Sequence, residues 1–216
     1  MRYILLGFEC ITAFIGFLYY PKLTDSYWKW FSVYLIFIFF QELFWIVIFP
    51  LNFSNELLIT WSTHYYNYVG LPIQYLFFYW LYAYKSLRNK TLFYAFFILY
   101  LPIVTILHQY LSAHVQRFTV NILVGSTLLT ILAILEFARQ IRHEDILKFR
   151  ENKMFYINTG AFLFYVGTFP LSVIIVLKSS DEIIKEGFTF FMYYFYISNY
   201  IMYSLFSMSF IWGKKT

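Results

Sequence analysis

Residues 27–49 read YWKWFSVYLIFIFFQELFWIVIF and run directly into Pro50. Within them the only charges are Lys29, near the start, and Glu42. About 20 mainly apolar residues in a helix are enough to cross the hydrocarbon of a bilayer. A surface helix of a soluble protein would carry a polar face along such a length, and this one carries none. The stretch therefore reads as a membrane-spanning helix.

The same pattern recurs on both sides of it. Upstream lies 3–20, closed by Pro21, and downstream lie 62–84, 91–111, 118–138, 154–177 and 188–212. The composition agrees: 61% of the 216 residues are hydrophobic and 12% are charged. Soluble domains hold nearer about 45–50% and about 25%. A chain of this length cannot hide that much apolar surface from water. Strands are excluded because no run alternates apolar and polar residues as barrel strands do. The weaker apolar run 51–61 is too interrupted to span and reads as a short interfacial helix. The expected fold is all-α: a single domain, 1–216, forming a polytopic integral membrane bundle of seven transmembrane helices.

Cationic loop residues collect on the cytoplasmic side of a membrane. The loops after spans one, three and five, with the segment after span seven, hold Lys22, Lys29, Lys85, Arg88, Lys90, Arg139, Arg142, Lys148, Arg150, Lys153, Lys214 and Lys215. The alternate loops hold Arg2, Arg117, Lys178 and Lys185. This bias places the N-terminus outside and the C-terminus in the cytoplasm. Only Arg2 argues for a removable leader at span one. Phe, Tyr, Ile, Asn and Lys are favoured by AT-rich genes, so the expected location is a bacterial cytoplasmic membrane. The longest polar stretch, 139–153, is too short to fold as a soluble domain, which needs about 50 residues.

Ionisable groups inside a span are costly and are functional candidates by default. Glu9 and Glu42, with Gln41 beside the latter, fall about two turns below the outer surface, roughly 10 Å at 1.5 Å per residue. Asn67, Gln74, His108, Gln109 and Asn121 map to the same outer half, and Asn199 lies nearer mid-membrane. Such a ring could line a pocket open to the outside. Equally, amides tie membrane helices together without any ligand. Glu9, Ala13 and Gly16 share one face, so Glu9 points into protein rather than lipid.

Tyr68, Tyr75, Tyr79 and Tyr82 mark one face of span three. Tyr193, Tyr196, Tyr200 and Tyr203 mark one face of span seven. They read either as aromatic packing or as the walls of a ligand pocket between the two spans. Pro72, Pro102 and Pro170 lie within spans and predict bends. On the cytoplasmic side, Arg139, Arg142, Lys148 and Arg150 could dock a partner protein, or rest against anionic lipid headgroups.

Catalytic and cofactor signatures are missing. Span seven has no lysine for a retinal Schiff base and no histidine pair for a hydrolytic zinc. No phosphate-cradling glycine loop or zinc-protease motif occurs. His64, His108 and His114, with Glu56, have no compact metal spacing. Neither an enzyme activity, a cofactor nor a nucleic-acid partner is expected. The sequon 52–54 matters only for a secreted eukaryotic loop.

The stretches YINTG (156–160), FLFYVGTF (162–169) and YISNYIMY (196–203) resemble a group of uncharacterised bacterial seven-helix membrane proteins, related to the sensory membrane modules of histidine kinases. The likeness covers some 40 residues. It implies a receptor-like sensor that binds a small ligand or proton in the outer half and signals to a separate cytoplasmic protein. This chain carries no kinase region, which leaves phosphotransfer to a partner. A small proton- or cation-coupled transporter is the alternative, although no internal repeat is visible. A structural membrane subunit is the third.

Overall fold

The computed structural model describes residues 1–52, 54–107, 117–142, 150–177 and 182–213. His108, Gln109, His114 and Lys148 fall outside them. Seven helical rods make up the described chain, and no strand occurs among the described residues. They are α1 (Arg2–Lys22), α2 (26–52), α3 (55–86), α4 (90–107), α5 (Arg117–Arg142), α6 (Lys153–Leu177) and α7 (Glu182–Ile211). Three of the helices are long and apolar enough to cross a membrane, over Arg2–Lys22, Tyr27–Leu51 and Asn121–Arg142, while Lys90–Thr105 is apolar but shorter.

Side-chain contacts fix the direction of each rod. Gly16 meets Ser32, and Gln41 and Glu42 meet Tyr65 and Tyr66, so α2 runs against both α1 and α3. Tyr84 meets Phe93 and Tyr75 meets Tyr100, so α4 runs against α3. Tyr79 bonds Gly125 and Ser86 accepts from Arg139, so α5 runs with α3. Tyr156 lies against Trp212 and Phe164 against Phe195, so α6 runs against α7. Phe8 stacks on Tyr200 and Gly16 faces Phe210, so α7 runs with α1. The rods alternate up and down. The turns holding Lys22, Lys85, Arg88, Lys90, Arg142 and Arg150 therefore gather at one end, called here the basic end.

The third helix is the axis of the bundle. Tyr75, Phe78, Tyr79, Leu81, Tyr82 and Ala83 are fully buried. Phe77 stacks flat on Tyr34 of α2 with ring centroids 4.1 Å apart. Phe78 touches Tyr165 of α6 and Phe206 of α7. Outward faces are apolar instead: Ile11, Phe14 and Phe17 on α1, Phe37, Phe40 and Phe44 on α2, and Ile131 and Ile134 on α5 are all exposed. Buried residues meanwhile include Glu9, Asn67, Asn121, Glu136, Gln140, Asn158 and Asn199.

Two expectations on helix ends are revised. The run 51–61 is no separate interfacial helix, because Asn55–Tyr65 continues unbroken into α3. Pro50 does not stop α2, which continues to Asn52. In both helices a π-helical turn lies just before the proline: Phe44–Ile48 before Pro50 and Tyr66–Gly70 before Pro72. Of the other two π-helical stretches among the described residues, Ile103–Leu107 directly follows Pro102 and Trp80–Ser86 adjoins no proline. Proline removes one N–H and crowds the carbonyl four residues back, so a widened turn is tolerated beside it. The stretch Trp80–Ser86, which ends α3, widens with no proline near it. The helix also continues through Pro170.

Candidate functional site

Two polar clusters occupy the end of the bundle away from the basic turns. The first joins α1, α2, α3 and α7. Glu9 is 4% exposed, on a face shared with Thr12, Ala13 and Gly16. The Tyr203 hydroxyl lies within bonding range of its carboxylate, whereas Oε2 has no partner. Glu42 is close enough for its charge to act on Glu9. Glu42 Oε1 accepts the Tyr66 hydroxyl at 2.6 Å and the Gln41 amide at 3.4 Å, and Gln41 Oε1 accepts Tyr65 at 3.1 Å. Among the described residues no ion pair reaches either glutamate. Below Glu9, the Thr12 hydroxyl meets the Tyr203 carbonyl at 3.0 Å and Ser207 Oγ at 2.9 Å, tying α1 to α7.

The second cluster joins α3, α4 and α5. Asn121 donates to the Asn67 carbonyl at 2.9 Å and accepts the Tyr100 hydroxyl. The Asn67 carbonyl belongs to the π-helical turn 66–70, whose widened geometry frees backbone groups for outside partners. The same turn aims Tyr66 at Glu42, so one local distortion serves both clusters.

The expected ring of polar groups is thus divided. Glu9, Glu42 and Gln41 come together, and Asn67 pairs with Asn121. Gln74 instead donates to the Tyr165 hydroxyl at 2.8 Å across α3 and α6. Asn199 bonds its own helix at Phe195. Tyr75 is buried between Tyr100 and Tyr165, and Tyr196 is half-buried beside Phe195. The tyrosines of α3 and α7 do not face one another across a space. Tyr200 stacks on Phe8 and the Tyr203 hydroxyl lies toward Glu9, both on α1, and the α3 stripe is packed by Tyr100, Tyr165 and Phe96. Tyr68 and Tyr193 lie exposed.

At the basic end the bundle holds a charged group that span-by-span reading passes over. Glu136 of α5 is 0% exposed. Its Oε1 takes Arg139 Nη2 at 2.8 Å and Gln140 Nε2 at 2.9 Å, and its Oε2 takes Arg139 Nε at 3.2 Å. Arg139 also donates to Ser86 Oγ of α3 at 3.2 Å. Arg139 is therefore committed to an internal ion pair, while Arg142 and Arg150 are exposed. Nearby, Lys153 is buried with its ammonium 5.6 Å from the Trp28 ring. A sequence signal for Glu136 exists: the acid, the cation three residues on and the amide four residues on share one helical face.

Among the described residues no three His, Cys, Asp or Glu side chains gather as metal ligands. No protein-family model, curated protein or solved structure matches the chain.

Proposed function

We propose that the chain is an integral protein of a bacterial cytoplasmic membrane that crosses it seven times, N-terminus outside, and acts as a sensor. Its input is the Glu9–Glu42 site in the outer half, taking a proton or a small cationic ligand. Its output is the basic end, read by a separate cytoplasmic protein. The membrane reading is supported by the inverted distribution of polarity, with apolar residues outward and amides and acids inward. It is also supported by the gathering of basic turns at one end, which the preference of cationic loops makes cytoplasmic.

The observation that carries the sensing role is that Glu9 and Glu42, on adjacent helices, lie within electrostatic range of one another, with Glu9 Oε2 left unpartnered in a buried site. Two carboxylates brought close in a low-dielectric place respond strongly to gain or loss of a proton or cation. The site also touches two helices besides those that carry the glutamates, so a change there is felt by α3 and α7 together.

Trp45 stands 5.3 Å from Tyr65, next to the site, and serves as its reporter in a background where the other five tryptophans are replaced by phenylalanine. Fluorescence of the purified protein, followed from mildly acidic to mildly alkaline buffer, should show a transition. Glu9→Gln and Glu42→Gln should each displace it, and the double variant should remove it. A curve without a transition when both glutamates are present, or a double variant that keeps it, would refute proton sensing.

One observation favours a proton-coupled transporter as the second reading. Tyr34 lies within electrostatic range of Glu9, Tyr165 within range of Tyr34 and Tyr82, and Tyr82 within range of Glu136. These side chains form a succession of buried polar groups from one carboxylate cluster to the other. Proton uptake into liposomes along an imposed gradient, reported by a trapped dye, separates a transporter from a sensor, which would leave the dye unchanged.

A further inference from the structure

An open cavity of about 310 Å³ lies at the basic end, between the α3–α4 turn and α5. Leu87, Asn89 and Leu92 line it from the α3–α4 turn and the start of α4, and Leu135, Ala138, Arg139 and Arg142 line it along one face of α5. Asn89 closes one side and caps α4, its Oδ1 accepting the Leu92 N–H at 2.9 Å. The positive end of the α4 dipole therefore faces the same space.

Arg139 is held rigidly by Glu136 and Ser86, through Nε and Nη2. A guanidinium has five donors, and no described residue engages those on Nη1. Arg142 follows three residues later, exposed and without a carboxylate partner among the described residues. Arg88 is exposed on the adjoining turn, while the ammonium groups of Lys85 and Lys90 lie over the Tyr84 ring. A positioned guanidinium with a second beside it suits a phosphate oxygen pair. The adjoining leucines suit a hydrocarbon chain leaving that phosphate. A zwitterionic headgroup would bring an ammonium into a cationic neighbourhood, so an anionic one is favoured.

We propose that this cavity holds the phosphodiester headgroup of an anionic phospholipid from the leaflet at the basic end. The phosphate lies between Arg139 and Arg142, and the glycerol and first carbons lie along Leu87, Leu92 and Leu135. The proposal rests on the membrane reading but not on sensing by Glu9 and Glu42.

The test is native mass spectrometry of detergent-purified protein titrated with phosphatidylglycerol, phosphatidylcholine or glycerol phosphate. Phosphatidylglycerol should be retained about tenfold better than phosphatidylcholine, and Arg142→Gln should weaken that retention about fivefold. Lys22→Gln, at the same end but outside the cavity, should leave it unchanged, and both variants should keep wild-type helix content by circular dichroism. Equal retention of the two lipids would overturn the proposal, as would an Arg142→Gln protein that binds like wild type or a Lys22→Gln loss of the same size. Glycerol phosphate binding as tightly as the lipid would overturn the lipid assignment in favour of a soluble anion. None of these results alters the expected behaviour of Trp45, so the two proposals fail separately.

Discussion

Glu136 and Gly125 carry consequences out of proportion to their size. Glu136 is wholly buried and holds Arg139 and Gln140. Replacing it by leucine leaves a guanidinium and an amide without their acceptor. Breaking a buried pair from one side costs about 3–5 kcal/mol. The lower end applies here, because the Arg139 side chain remains 32% exposed. Glu136→Leu should therefore lower stability by about 3 kcal/mol, and Glu136→Leu/Arg139→Met should recover most of it, both read by thermal unfolding in detergent. A double variant no better than the single would show that the pair is not what stabilises this end. Gly125 is a matter of space. A Cβ there would lie 2.3 Å from the Tyr75 ring, which is boxed in by Tyr100 and Tyr165. Gly125→Ala should cost about 1–3 kcal/mol through overpacking. At Gly16 the nearest atoms are 3.6 Å away, so Gly16→Ala should melt like wild type.

Among the elements, α3 shows both what the sequence discloses and what it conceals. Its tyrosine periodicity points to one buried face, and Tyr75, Tyr79 and Tyr82 are buried. Its first turns are hidden from composition, since 55–61 falls in a run too interrupted to read as part of a span, and only the continuous helix from Asn55 joins it to the rest. The prolines disclose where the helices depart from regularity but not how. Pro72 implies a bend, and what accompanies it is the widened turn 66–70 that hands the Asn67 carbonyl to Asn121. That choice depends on α5, a helix more than fifty residues away in sequence. Two substitutions separate the proline from its partner. Asn121→Leu strands the Asn67 carbonyl and the Tyr100 hydroxyl, at about 1–2 kcal/mol for a lost interhelical bond. Pro72→Ala restores one N–H yet leaves Asn121 in place, so it should keep the widened turn and lower the melting temperature less than Asn121→Leu. The opposite order would make the proline, not the amide, the cause of the turn.

At the scale of the molecule, seven helical stretches are legible because each is a long apolar run bounded by charge or proline, and three of them are long and apolar enough to cross a membrane. The division of the polar ring into separate clusters is not, because it depends on which faces meet. Of the α7 tyrosines, Tyr200 and Tyr203 turn to α1, Tyr193 is exposed and Tyr196 lies beside Phe195, so they do not form a wall facing the tyrosines of α3. Glu136 is legible: it lies inside the expected span 118–138, with Arg139 and Gln140 on the same helical face, and its full burial and the bond from Arg139 to Ser86 of α3 put it inside the bundle. The up-and-down order of the rods adds what charge counting alone lacks: the basic turns are neighbours in space as well as alternate in sequence. Their location relative to a bilayer can be tested directly. With Cys10, the sole native thiol, replaced by serine, single cysteines at Lys22, Arg88 and Arg142 should react with a membrane-impermeant maleimide only in inverted vesicles. A cysteine at Trp61, exposed near the start of α3, should react only in intact cells. The positions at Arg88 and Arg142 are the decisive pair, because α4 and α5 lie between them. If reagent reached them from opposite sides, an odd number of crossings would separate them, and both the seven-span order and the lipid site between the α3–α4 turn and α5 would be lost together.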